Sequence, residues 1–129
     1  MEREEAELLN PLQLAYLGDT VFETLVRQKL IQRKYNVRHM HTECVRRVNA
    51  NSQAESLRRI LPILTEKEQD IVRRGRNAHP KHALNRNQHP DAYAAATGFE
   101  ALFGYLYLIG EEERLLTLFN RVMEEENNG

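Results

Sequence analysis

Apolar residues recur three and four positions apart along almost the whole chain, and no stretch shows the two-residue alternation of a half-buried strand. The pattern predicts an all-α helical bundle. Asn10-Pro11 reads as an N-cap followed by proline at the first helical position, and Leu14, Leu17, Val21 and Leu25 then share one face, giving a helix over about residues 11–31. A second helical stretch covers about 38–61, with Met40, Cys44 and Val48 on one stripe and Leu57, Ile60 and Leu61 on a later one. Pro62 stops it, and the weak helix formers from Asn49 to Ser52 mark where it can break. Thr65-Glu66-Lys67-Glu68 has the reciprocal pattern of a capping box and starts a third helix through about Arg74, which Gly75 is expected to end. Residues 76–90 mix Asn, His, Pro and basic side chains without apolar period and are expected to form the one long loop. Ala92–Gly110 is apolar at helical spacing, and Glu111–Glu126 is amphipathic, with Leu115, Leu118, Phe119 and Val122 on its inner face.

A length of 129 residues fits a single domain, 1–129, and 41% hydrophobic residues supply a real core. Glu100, Thr97 and three glycines make the 92–110 segment a buried core helix and a poor membrane span. Its first residues, Met1-Glu2-Arg3-Glu4-Glu5, lack the basic start and apolar run of a secretory signal, and the lone Cys44 excludes an intramolecular disulfide framework and a cysteine-based zinc ribbon. A cytoplasmic protein with no membrane association is expected. A net charge of −1 argues against a protein held on nucleic acid by bulk charge. That charge is segregated, however. From Ile71 to Pro90 there are five basic residues (Arg73, Arg74, Arg76, Lys81 and Arg86), three histidines and no acid, whereas Glu111–Gly129 holds six Glu against two Arg.

Two acids stand out by their isolation. Asp19 is the only charge between Leu8 and Phe22, and Glu100 the only charge between Ala92 and Gly110, so both are expected in buried surroundings without a basic partner on their own helix. A carboxylate there must be hydrogen-bonded, paired, protonated or bound to a cation. One reading gives each acid a buried arginine or free backbone amides. The other packs the two helices together, so that the carboxylates converge on a hard divalent cation such as Mg²⁺, which takes one or two protein carboxylates and leaves its other sites to water and phosphate oxygens. Such a cation acidifies an attacking water and neutralises charge on a scissile phosphate.

The stretch Leu14-Ala-Tyr-Leu-Gly-Asp-Thr-Val-Phe-Glu23 resembles the signature helix of the ribonuclease III family, roughly Leu-Glu-Phe-Leu-Gly-Asp-Ala-Val. Thr97-Gly-Phe-Glu-Ala-Leu-Phe-Gly-Tyr-Leu-Tyr-Leu108 is similar to the second acidic helix of that family. With Arg73-Arg-Gly-Arg-Asn-Ala78 and no double-stranded-RNA-binding domain, the chain most resembles the Mini-III branch over nearly its whole length. The resemblance implies an all-α endonuclease domain that forms a homodimer and cleaves double-stranded RNA with Mg²⁺, in the branch's known role of maturing precursor ribosomal RNA of the large subunit. It implies Asp19 and Glu100 as the catalytic, metal-binding pair. Larger members have two further acids, at the places occupied here by Ala15 and Thr97; Glu23, one turn after Asp19, is a candidate outer acid or a surface partner of Arg27.

Arg73, Arg74, Arg76, Lys81 and Arg86 are the candidate RNA-binding set, because duplex RNA is gripped through phosphates and 2′-hydroxyls. Arg46, Arg47, Arg58 and Arg59 read as an ordinary polar helix face, and Cys44 as a core residue. His79, His82 and His89 match no familiar zinc spacing and read as solvent-facing. Tyr16 and Phe22, flanking Asp19, belong to either the core or a subunit interface. Two other functions compete with the nuclease: a non-catalytic RNA-binding module that keeps the ribonuclease III fold, and a helical interaction protein whose two acids bond buried arginines.

Overall fold

The computed structural model describes residues 1–78 and 90–127. Its helices are α1 (Arg3–Glu7), α2 (Pro11–Gln32), α3 (Val37–Val48), α4 (Ala50–Ile60), α5 (Glu66–Asn77), α6 (Pro90–Leu108) and α7 (Glu112–Asn127), with a 3₁₀ turn at Leu61–Ile63; the described residues contain no strand. Local chemistry sets most of the boundaries. Asn10, Asn36 and Asn49 each accept a hydrogen bond from a first-turn amide, from Leu12, His39 and Ser52 respectively, and Thr65 forms the expected capping box with Glu68. The break at Asn49 is therefore a capped helix start. Gly110, at φ +77, closes α6 in the left-handed conformation that glycine adopts without steric cost.

Helix α6 is the axis of the bundle, packed by α2, α4 and α5. Its residues from Ala101 to Leu106 are buried without interruption, as a helix covered on all sides requires. The approach of its neighbours is set by glycines. A Cβ on Gly18 of α2 would lie 1.6 Å from the Glu100 carbonyl oxygen, and one on Gly104 of α6 would lie 2.0 Å from the Leu14 carbonyl oxygen, so the two backbones touch. On the other side of α6, Gly75 and Gly98 do the same for α5, a Cβ on Gly98 falling 2.6 Å from the Val72 carbonyl oxygen. Gly75 thus does not end its helix as its residue type suggests; α5 runs on to Asn77, because this glycine serves a close helix crossing. That extension takes Arg76 and Asn77 out of the expected loop, and Pro90 opens α6, while 79–89 lie outside the described residues.

Around the crossing, Phe22 meets Phe99, Phe103 and Phe119 edge-on, at centroid distances of 5.0, 5.5 and 6.0 Å. The expected inner face of α7 is buried at all four positions, and Cys44 is a buried free thiol. Glu68 ties α5 to α7: Arg114 grips both of its oxygens at 2.8 Å and donates to the Ile63 carbonyl at 2.7 Å. Burial opposes the Glu68 charge, but the Arg114 guanidinium and the Thr65 amide outweigh it and hold the carboxyl below its ordinary range. The short α1, absent from the sequence expectation, is held by tertiary contacts, Lys67 to Glu7 at 2.6 Å among them.

Gly104→Ala is expected to destabilise the protein by about 3 kcal/mol or more, lowering the melting temperature by roughly 10 °C, because two helix backbones must separate. Gly110→Ala meets open space and loses only its favourable positive φ, about 1 kcal/mol. Thermal melts of the two variants followed by circular dichroism check the contrast; equal losses would mean that the α2–α6 contact is not limiting.

Candidate active site

Because Gly18 lies against the backbone of Glu100, the next residue of α2, Asp19, is set beside the Glu100 side chain. The two acids converge as the packing argument requires. Their burial differs from expectation: Asp19 is exposed and Glu100 half-buried. The helical period locates the apolar face of α2 correctly, but Asp19 stands at its edge, where the helix emerges into solvent. Burial above all, then the Asp19 charge and a hydrogen bond between the two carboxyls, push Glu100 up to about 8.

A third polar group belongs to this place. Gln53 of α4 is 2% exposed, and its amide beside Glu100 works against that rise. The contact is incomplete, since Nε2 is buried without any partner at full hydrogen-bond geometry. Sequence reasoning missed Gln53. The signal was available: it occupies the inward face of α4 shared with Leu57 and Ile60, where an apolar residue is the norm.

Among the described residues no arginine or lysine pairs with Asp19 or Glu100, so the reading in which buried arginines neutralise both acids finds no support in them. The two positions at which the resemblance places extra acids in larger members contribute nothing charged: Ala15 is buried, and the buried Thr97 hydroxyl donates to the Tyr93 carbonyl at 3.0 Å. Glu23 turns to Arg27 at 3.0 Å. No cluster of three or more His, Cys, Asp or Glu side chains forms among the described residues. The residues flanking Asp19 divide, Phe22 lying in the core at 1% exposure and Tyr16 standing 84% exposed.

The basic set also divides. Arg73 is exposed and pairs with Asp70; Arg74 is half-buried and donates to the Leu9 carbonyl at 3.3 Å, holding the junction of α1 and α2. Arg76 is exposed, its stem lying over Gly98, two residues before Glu100. Lys81, Arg86, His79, His82 and His89 fall outside the described residues. On α3 and α4, Arg46 pairs with Glu43 and Arg58 with Glu55, as expected of a polar face, but Arg47 and Arg59 depart from it: both are half-buried, and Arg59 reaches the Val122 carbonyl of α7 at 3.4 Å.

The chain matches the model of the Ribonuclease III domain over residues 12–111. It is 53% identical over 108 residues to Mini-ribonuclease 3 of Symbiobacterium thermophilum, covering 83% of this chain and 82% of that one. Mini-ribonuclease 3 of a Thermoanaerobacter species is 48% identical over 121 residues, 91% of this chain and 84% of the relative. A crystal structure of a Fusobacterium nucleatum protein superposes with a TM-score of 0.82 at 29% identity, covering 92% of this chain and 95% of the other. The helical architecture, the paired acids of α2 and α6 and these likenesses agree, and the chain belongs to the ribonuclease III family, as an endoribonuclease of its Mini-ribonuclease 3 branch.

Proposed function

We propose that the chain, acting as one catalytic domain over 1–129, is a homodimeric, Mg²⁺-dependent endoribonuclease that cleaves double-stranded RNA, with Asp19 and Glu100 as its catalytic metal-binding pair. The observation that carries this reading is the convergence of the two carboxyls on one spot without a basic partner among the described residues. Two acids set this close resist joint ionisation, and a divalent cation supplies the missing positive charge. The donor set fits a hard cation: two carboxylates, all oxygen chemistry, and no thiol or imidazole among the described residues there. When bound, Mg²⁺ supplies the acidified water and the positive charge that phosphodiester hydrolysis requires.

The chain's own part is placement. Asp19 offers its carboxylate from the solvent side, where RNA arrives, and Glu100 offers its own from the half-buried side, so the reacting phosphate approaches over α2. With Ala15 and Thr97 in place of acids, the protein would offer the cation only the carboxylates of Asp19 and Glu100 and would leave its other positions to water and phosphate oxygens. The basic end of α5, with Arg73 and Arg76 exposed and Lys81 and Arg86 farther along, holds the duplex through its phosphates. The substrate is proposed to be precursor ribosomal RNA of the large subunit, in the cytoplasm; none of the described helices is long and apolar enough to cross a membrane.

Dimerisation is supported by an uncovered apolar stripe. Leu8, at the junction of α1 and α2, and Leu12 and Tyr16, one turn apart on α2, are 86, 39 and 84% exposed, and Tyr16 lies three residues before Asp19. An isologous contact there buries them and sets two sites across one valley, one for each strand of a duplex.

Asp19→Asn and Glu100→Gln are each expected to lower cleavage of duplex RNA by at least about a thousandfold while leaving the fold intact. Near wild-type turnover in either rejects the assignment. Glu100 also gives the metal-free protein a pH signature. Between 4.5, the ordinary value, and about 8, the native chain holds a proton there that the unfolded chain has released, so stability falls as pH rises through that window. Glu100→Gln should flatten the slope, and thermal melts in chelator from pH 5 to 9 measure it.

For the interface, Tyr16→Glu is expected to convert a dimer into a folded monomer, read by sedimentation velocity at micromolar concentration; a wild-type protein that sediments as a monomer overturns the dimer. For the duplex, Arg73→Ala with Arg76→Ala should weaken binding and reduce the salt slope by about one unit or less per lost phosphate contact. Arg74→Ala should mainly lower thermal stability, through the Leu9 contact. Binding across a salt series separates the two effects, and an unchanged slope in the double variant would place the duplex elsewhere.

A further inference from the structure

We propose that Gln53 is a positioning residue for the active site: its buried amide holds one oxygen of the Glu100 carboxylate and leaves the other turned toward Asp19, ready for the cation. This rests on the assignment of Asp19 and Glu100 as the metal-binding pair and gives α4 a part in it.

Three observations support the role. Gln53 is 2% exposed on the face of α4 that otherwise carries Leu57 and Ile60, and that helix packs against α6. Its side chain is a neighbour of Glu100, and its influence on that carboxyl opposes that of Asp19. Its Nε2 is buried without a complete hydrogen bond, an unfavourable state that an apolar side chain of the same length would avoid. A buried donor left short of partners beside a carboxyl is best explained by the geometry that satisfies it, in which the carboxylate swings fully onto the amide. The amide is neutral, so it orients Glu100 without adding to the negative charge that Asp19 already brings. It also answers the loss of the two further acids: Ala15 has no polar atom to offer, and the Thr97 hydroxyl is committed to the Tyr93 carbonyl, so neither can orient Glu100. Outer partners of this kind typically tune cation affinity by about ten- to a hundredfold.

The test uses Gln53→Met, which keeps length and approximate volume but removes the amide. Mn²⁺ binding in the absence of RNA, followed by the electron paramagnetic resonance of the free ion, should weaken by about tenfold or more. Cleavage of a defined duplex should lose kcat by a similar factor with KM for RNA changed less than about twofold, and high Mg²⁺ should restore part of it. The melting temperature of the cation-free protein should stay level or rise, since the donor left unsatisfied in that state is gone. A folded Gln53→Met with wild-type Mn²⁺ affinity and kcat overturns the proposal, as does a variant whose only defect is a lower melting temperature. If Gln53→Met does not fold, Gln53→Asn, with its amide withdrawn by one methylene, serves instead, and wild-type Mn²⁺ affinity in that variant is equally fatal. Glu100→Gln run alongside separates the two levels. If it binds Mn²⁺ as the wild type does, the metal pair itself is wrong; if it loses the ion while Gln53→Met keeps it, only the role of Gln53 fails.

Discussion

The contact of α2 with α6 at backbone distance governs the rest of the molecule. With no side chain at Gly18 or Gly104, each helix seats its main chain against the carbonyls of the other, and the separation leaves no room for adjustment. Asp19 follows Gly18 directly, and Glu100 is the residue whose carbonyl Gly18 touches, so packing and chemistry meet at adjacent atoms. The Phe22 ring lies three residues beyond Asp19 and is enclosed by Phe99, Phe103 and Phe119, which fixes the rotation of α2 as the glycines fix its distance.

The electrostatics of the bundle show two ways of treating a buried acid. Glu68 has a guanidinium on both oxygens and a backbone amide besides, and is held ionised; it works as a clamp between α5, the 3₁₀ turn and α7. Glu100 has another carboxyl and an incompletely bonded amide as neighbours, and is held toward its neutral form. The first arrangement is complete within the chain. The second is unfavourable by itself, as the cation-binding role proposed for Glu100 requires of the empty protein.

What could be read in the sequence was what depends on near neighbours. Asn10-Pro11, the capping box at Thr65 and the weak helix formers after Val48 act within four residues, and the helices begin or break there. The isolation of Asp19 and Glu100 was also legible, because charge spacing along a helix is local. What failed depends on distant partners. Gly75 reads as a helix end by its own preferences, yet it is retained inside α5 by Gly98. The apolar run of α2 predicts Asp19 inside, yet Asp19 stands exposed at the edge of the apolar face. Helix α1, five residues long, has no stability of its own to announce it and is held by Lys67. Gln53 is an ordinary polar residue until α4 is laid against Glu100.

The enclosure of α6 also determines how the protein comes apart. A helix flanked by three others, with six consecutive buried residues, has amides that exchange with solvent only when its neighbours leave together. Glu100 therefore belongs to the last cooperative unit to open, and Asp19 is bound to that unit through Gly18. Fraying of α1 or of the end of α7 leaves the two carboxyls in place. Loss of the site and loss of the globule become the same event, with one denaturation midpoint for both.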